Sequence, residues 1–182
     1  LSISEGLSGD ILDWIKEERV DLGCAYDAFE SETFRLEPLL TEELFLVTAP
    51  DNWGGEIGPD GIALDNLSVE KLADFPLVMT SSRGAQWLQQ KMTNSFGVQL
   101  NVVASLNSLP QIVEMVSRAS AYAILPHGAV HKQVSQKGLA LVRIEKSALR
   151  RTAFLVRKRS RTASRAVDLV EDYTRTIIRE MV

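Results

Sequence analysis

The pattern that most constrains this chain is a repeated alternation of short apolar runs with amphipathic helical stretches. Leu1-Ser2-Ile3-Ser4-Glu5 alternates and predicts a strand. Gly6-Leu7-Ser8-Gly9 is a turn in which Ser8 can N-cap a helix, and Ile11, Leu12 and Ile15 then share one helical face. Asp21-Leu22-Gly23-Cys24-Ala25-Tyr26 is a short apolar strand. Strand, helix and strand in that order make a βαβ unit with a right-handed crossover.

The alternation continues. Leu36 to Ala49 is extended, and Pro50 to Gly61 is a loop rich in Gly, Pro, Asp and Asn, the best candidate for a hinge or lobe boundary. Ser68 can cap a short helix through Ala73. Pro76 to Met79 predicts a buried strand, and Ser82 can cap a helix that ends at Gly97, a natural C′ residue. Leu100 to Ala104 is a strand. Ser108-Leu109-Pro110-Gln111 fits a capping box, followed by an apolar face of Leu109, Ile112, Val113 and Val116. Tyr122 to Leu125 is a strand closed by Pro126, with a short helix to Gln136. Strands follow at Leu139 to Ile144 and Thr152 to Val156. The last helix carries a stripe of Ala166, Leu169, Val170, Tyr173, Ile177 and Met181. Such alternation predicts an α/β fold with a mostly parallel sheet.

Composition narrows the function classes. At 182 residues, 45% hydrophobic and 24% charged, the chain reads as soluble and globular, with enough length for a core. No apolar run reaches the ~18 residues of a membrane span, and no signal segment opens the chain, so the expected compartment is cytoplasmic. A single cysteine, Cys24, excludes an internal disulfide, and two histidines leave little for a metal site. The net charge of −4 hides an asymmetry: residues 1–75 hold 18 of the 24 acids but only 4 of the 20 bases. From Lys146 to Arg165 the charges are Lys146, Arg150, Arg151, Arg157, Lys158, Arg159, Arg161 and Arg165, with no acid. A basic run can contact nucleic acid or neutralise an acidic partner segment. A pI near 5.3 favours neutralisation of the first third.

Serines recur where strands pass into helices, at Ser4–Ser8, Thr80-Ser81-Ser82 and Ser105–Ser108. Carboxyl ends of strands form the ligand crevice of open α/β sheets, and helix N-termini there favour anions. These serines either cap their own helices or line one anion-preferring cleft. The candidate effector-binding residues are Ser8, Ser81, Ser82, Ser108 and Pro126, with Arg83 as charge partner. Catalytic chemistry finds little support. Gly6-Leu7-Ser8-Gly9-Asp10 departs from G-x-S-x-G at Asp10, and His127 and His131 lack the glutamate of H-E-x-x-H. No phosphate loop or dinucleotide fingerprint occurs, so neither enzyme activity nor a cofactor is expected. Cys24 reads as a buried, inert thiol, and Trp14, Trp53 and Trp87 read as packing residues.

Several segments in order resemble a known family. Glu5-Gly6-Leu7-Ser8-Gly9, Leu12 and Arg19-Val20-Asp21-Leu22-Gly23 resemble the E-G-x-S-x…L…G-x-L-D-x-A segment of LysR-type transcriptional regulators. Glu37-Pro38-Leu39-Leu40 with Glu43-Leu44 is similar to their e-p-L-l…e-e-L-x-l-v strand. Asn107-Ser108-Leu109, Val113, Val116 and Tyr122-Ala123-Ile124-Leu125-Pro126 resemble their helix–strand segment, and Arg150-Arg151-Thr152 their l-x-R-x-l-x-L strand. The resemblance implies an effector-binding domain of two Rossmann-like lobes joined by a double crossover hinge, type 2 periplasmic-binding-protein-like. Lobe I would be residues 1–48 plus 153–182, and lobe II residues 49–152.

It also implies a small effector bound between the lobes, which the serine-bearing helix starts would make anionic, and an antiparallel homodimer or higher homo-oligomer. The dimer would use the strand at Leu1–Glu5 and the helix from Arg83 to Phe96, where Trp87, Leu88, Lys91 and Met92 supply apolar surface. DNA would be reached only through an N-terminal helix-turn-helix domain that this chain lacks, along with the first strand and helix of lobe I. Ala119-Ser120-Ala121 replaces the family's G-x-G, so that turn must form without glycine. The alternative is a solute-binding protein of a transport system, which shares the fold.

Overall fold

The computed structural model describes residues 1–26, 32–145, 149–162 and 164–181. The elements are α1 (Ser8–Lys16), β1 (Gly23–Tyr26), β2 (Phe34–Thr48), β3 (Leu77–Thr80), α2 (Arg83–Phe96), β4 (Val102–Leu106), α3 (Leu109–Ser117), β5 (Ala123–Pro126), α4 (His131–Ser135), β6 (Ala140–Arg143), β7 (Arg150–Lys158) and α5 (Arg165–Met181). The chain divides into two compact units, Leu1–Glu42 with Arg151–Val182, and Glu43–Arg150.

In the first unit β7 lies between β1 and β2, and β1 pairs with β7 antiparallel, Gly23 opposite Val156 and Tyr26 opposite Ala153. Ile15, Ala25 and Val156 form its buried centre, with Ile11, Leu12, Phe34 and Leu36 packed around them. The strand expected at Leu1–Glu5 is absent, and Leu1 and Ile3 stand fully in solvent. Alternation is only half of a strand; the other half is a ladder partner, and β1 takes β7 instead. The βαβ unit expected from the opening residues is therefore not formed.

Helix α1 is capped one residue earlier than expected. Leu7 is the N-cap, and the Asp10 carboxylate accepts the Leu7 N–H at 3.2 Å. Ser8 is unavailable for that role because its Oγ accepts the Tyr26 N–H at 3.0 Å. Cys24, expected to be buried, is exposed on β1. β1 ends the β1–β7–β2 order, and among the described residues it has a ladder partner on one side.

In the second unit β3 and β4 pair in parallel, and Leu77 bridges Tyr122 in parallel at the start of β5. The end of β2 pairs antiparallel with β5 (Leu44 opposite Pro126) and with β6 (Val47 opposite Leu141). The sheets are thus less parallel than the alternation predicts. The chain leaves the first unit along β2 and returns along β7, and adjacent outgoing and returning strands oppose each other. The expected lobe boundary at 48/49 and 152/153 lies at 42/43 and 150/151 in the structure. Residues from Leu44 onward already belong to the β5 and β6 ladders.

Helix faces explain the second core. Ala85, Leu88 and Met92 recur at helical spacing on α2 and are buried, as are Ile112, Val113 and Val116 on α3. They pack on Leu46, Leu77, Val78 and Leu141 of the strands. Leu88 and Met92, expected at a dimer surface, are therefore core residues, and Trp87 is packed against the same cluster. α2 ends at Gly97 with φ +67°, as its sequence predicts. The turn after α3 is reached by Ala119 at φ +57°, a left-handed conformation that strains a residue carrying Cβ.

Candidate functional site

Three strands of the second unit deliver their carboxyl ends to one edge. β3 ends at Thr80, β4 at Leu106 and β5 at Pro126, while α2 and α3 begin just beyond. Parallel pairing of β3 with β4, and the parallel bridge to β5, bring Ser81, Ser82, Arg83, Ser108 and Pro126 to that edge. The Ser81 N–H donates to the Leu106 carbonyl at 2.8 Å, which ties the two serine-bearing junctions together.

The serines do different work. Ser82 is the N-cap of α2: its Oγ accepts the Ala85 N–H at 3.2 Å and lies 2.7 Å from Thr80 Oγ1. Ser108 occupies the N-cap of α3, yet its side chain makes no capping hydrogen bond. The expected capping box with Gln111 is therefore not made. Pro110, the second helical residue, has no N–H to give, which removes one of the two donors a cap hydroxyl serves. The Ser108 hydroxyl is left uncommitted to its own helix.

Electrostatics at this edge favour an anion. Neither α2 nor α3 carries an acid in its first turn, and Arg83 is exposed at the first position of α2. A cation at the positive end of a helix is the reverse of the stabilising arrangement, so both fields add for an incoming negative group. Pro126 is buried at the end of β5 and contributes apolar surface without a donor. Ser8 belongs to the other unit.

A second polar cluster escaped sequence reasoning. In the first unit the Arg151 guanidinium lies 3.5 Å from the centroid of the Tyr26 ring, and its Nε donates to Glu42 Oε2 at 3.1 Å. Burial pushes the Tyr26 phenol up, against the opposing pull of Arg151. Glu42 and Arg151 are 109 positions apart, so no local motif links them. The only signal was the opposite charge of the first and last parts of the chain. The structure places that charge: Lys158 pairs with Glu18, Arg161 with Asp21 at 2.7 Å, and Arg151 with Glu42. Lys158 holds the Glu18 carboxyl below the usual carboxylate range. Lys146 lies outside the described residues.

No group of three His, Cys, Asp or Glu side chains among the described residues could hold a metal ion. No helix among them is long and apolar enough to cross a membrane.

Comparison with known proteins places this geometry. Residues 1–177 match the family model for the LysR substrate binding domain. The chain is 24% identical over 182 residues to the HTH-type transcriptional regulator BbuR of Bordetella bronchiseptica, covering 98% of this chain and 53% of that protein. It thus spans about half the length of this curated relative. Among solved structures, the CcmR regulatory domain of Synechocystis in complex with 2-PG superposes with a TM-score of 0.79 at 16% identity, over 96% of this chain and 81% of that one. The effector binding domain of QuiR in complex with shikimate superposes with a TM-score of 0.77 at 18% identity, over 98% and 81%. The fold is the type 2 periplasmic-binding-protein-like α/β fold of these domains. The chain belongs to the LysR substrate-binding domain family.

Proposed function

We propose that this chain is the effector-sensing regulatory domain of a LysR-type transcription regulator, and that its effector is a small anion held at the strand ends of the second unit. The observation that carries the reading is the convergence of two acid-free helix starts, Arg83 and the uncommitted Ser108 hydroxyl at one sheet edge. Ser81, Ser82 and Ser108 supply hydrogen bonds, Arg83 supplies charge, and Pro126 limits the site on its apolar side. The small molecules in the CcmR and QuiR complexes support occupancy of this kind. The regulator BbuR favours this role over solute transport.

In the whole protein, on this reading, DNA is contacted by a separate N-terminal domain, and the regulator works in the cytoplasm as a homodimer. The regulatory domain senses its ligand without converting it. A thermal-shift panel of small carboxylates, neutral analogues and amines tests the proposal. A carboxylate present at 100 times its Kd should stabilise the fold by ~2.7 kcal/mol if it binds only the native state. Equal stabilisation by neutral or cationic compounds, or turnover of the bound carboxylate, would contradict it.

A further inference from the structure

The two passages of the chain between its units form one antiparallel register. The Thr41 and Thr152 hydroxyls meet at 3.1 Å, Glu42 meets Arg151 at 3.1 Å, and the Leu44 N–H donates to the Leu149 carbonyl at 2.8 Å. Each pair is displaced from the last by equal steps in opposite directions, which is the signature of a continuous ladder. The boundary between the units cuts both strands at the same level, after Glu42 and before Arg151. The crossing is therefore a two-stranded ribbon, and the last pair on its first-unit side is the charged one.

Arg151 is held from two directions. Glu42 accepts from its Nε, and Tyr26 lies under its guanidinium plane. Its side chain is 24% exposed and that of Glu42 19%, so water screens the pair only partly. Tyr26 is in turn fixed: it ends β1 opposite Ala153, and its N–H is bonded to Ser8 Oγ at the start of α1. A planar, forked cation suits this place; an ammonium would keep the charge but lose the stack.

We propose that Arg151 is a positioning residue that locks the crossing ribbon. Through Glu42 it joins β2 to β7 at the boundary, and through Tyr26 it ties that joint to β1 and α1. The two strands are thereby held in register at this level. This mechanism stands apart from the identity or location of any effector.

Hydrogen exchange on the full chain, without ligand, tests it. The variants are Arg151→Gln, Glu42→Gln, Arg151→Lys and Tyr26→Leu. Exchange of the Leu44 amide and of residues 151–152 should accelerate by about tenfold in the two Gln variants, the change expected for losing one charge-assisted hydrogen bond. β3 and β4 should keep wild-type protection. The Arg151→Gln, Glu42→Gln double variant should be no faster than Arg151→Gln alone, because the charge pair is already lost in it. Arg151→Lys and Tyr26→Leu, which spare the charge pair, should show a smaller acceleration at the same amides. They also decide the matter if a Gln variant fails to fold. Unchanged exchange at the ribbon, or acceleration spread evenly over both units, would overturn the proposal.

Discussion

Helices α3 and α5 look alike in sequence and are used in opposite ways. Both carry apolar residues at helical spacing. On α3 the stripe goes inward, and Ile112, Val113 and Val116 are core residues. On α5 it points outward: Leu169, Tyr173 and Ile177 are 51%, 68% and 53% exposed, while Glu171 is the buried side chain at 7%. The polar face of α5 meets the sheet through ions. Arg175 forms a two-pronged bond to Glu37 at 2.7 and 2.8 Å and reaches Glu171 at 3.0 Å, and Arg157 meets Glu171 at 3.1 Å. Amphipathicity thus predicts a helix reliably, but the apolar face is the inner face only where apolar strands await it.

The contrast extends to the whole units. The second has large apolar clusters on both sides of its sheet, whereas the described centre of the first is Ile15, Ala25 and Val156, with ion pairs around it. The largest expected effects are therefore in the second unit. Met92→Ala and Ile112→Ala each remove a fully buried side chain and should destabilise by ~3 kcal/mol in urea titrations. Tyr173→Ala, despite its size, should cost less than ~0.5 kcal/mol, as surface substitutions do. If these two results came out equal, the assignment of inner and outer faces would fail.

Removing the ionic anchor should come next. Arg175→Ala leaves Glu171 buried with Arg157 as its remaining close partner. It should destabilise the first unit by about 1–2 kcal/mol, below the value for fully buried pairs because Glu37 is 37% exposed. Hydrogen exchange should localise the loss to α5 and β7, and high salt should shrink it. A loss spread over the second unit would contradict this division.

Acid should separate the two units. Arg175 holds the Glu37 carboxyl below the usual carboxylate range. A lowered folded pKa means that the contribution is complete above the unfolded value of ~4.3 and disappears as pH falls through the folded value. Protection of α5 should therefore fade at lower pH before that of α2 and α3, and Glu37→Gln should abolish much of that difference. The smallest effect is a gain. Ala119→Gly relieves a left-handed alanine and should stabilise by about 0.5–1 kcal/mol, read as a shift of the urea midpoint at constant slope.

The sequence made the elements legible wherever a local rule decided them. The stop of α2 at Gly97, the apolar faces of α2 and α3, and the serine-bearing junctions all follow from spacing and side-chain chemistry. Long-range choices were not legible. Leu1–Glu5 has the pattern of a strand but no ladder partner among the described residues. Arg151 finds Glu42 and Tyr26 only after β7 has folded back between β1 and β2. Of the candidate site, the gathering of Ser81, Ser82, Arg83 and Ser108 was implicit in parallel strand order. Which serine caps and which stays uncommitted required the backbone.

Calorimetric titration of the most stabilising carboxylate tests the central claim most directly, using wild type and the Ser82→Ala, Ser108→Ala double variant. Each lost hydrogen bond to a charged group is worth about 1.5–3 kcal/mol, so affinity should fall by at least tenfold if the anion lies at this edge. Equal affinity in the two proteins, with the variant folded, would place the ligand elsewhere and contradict the account.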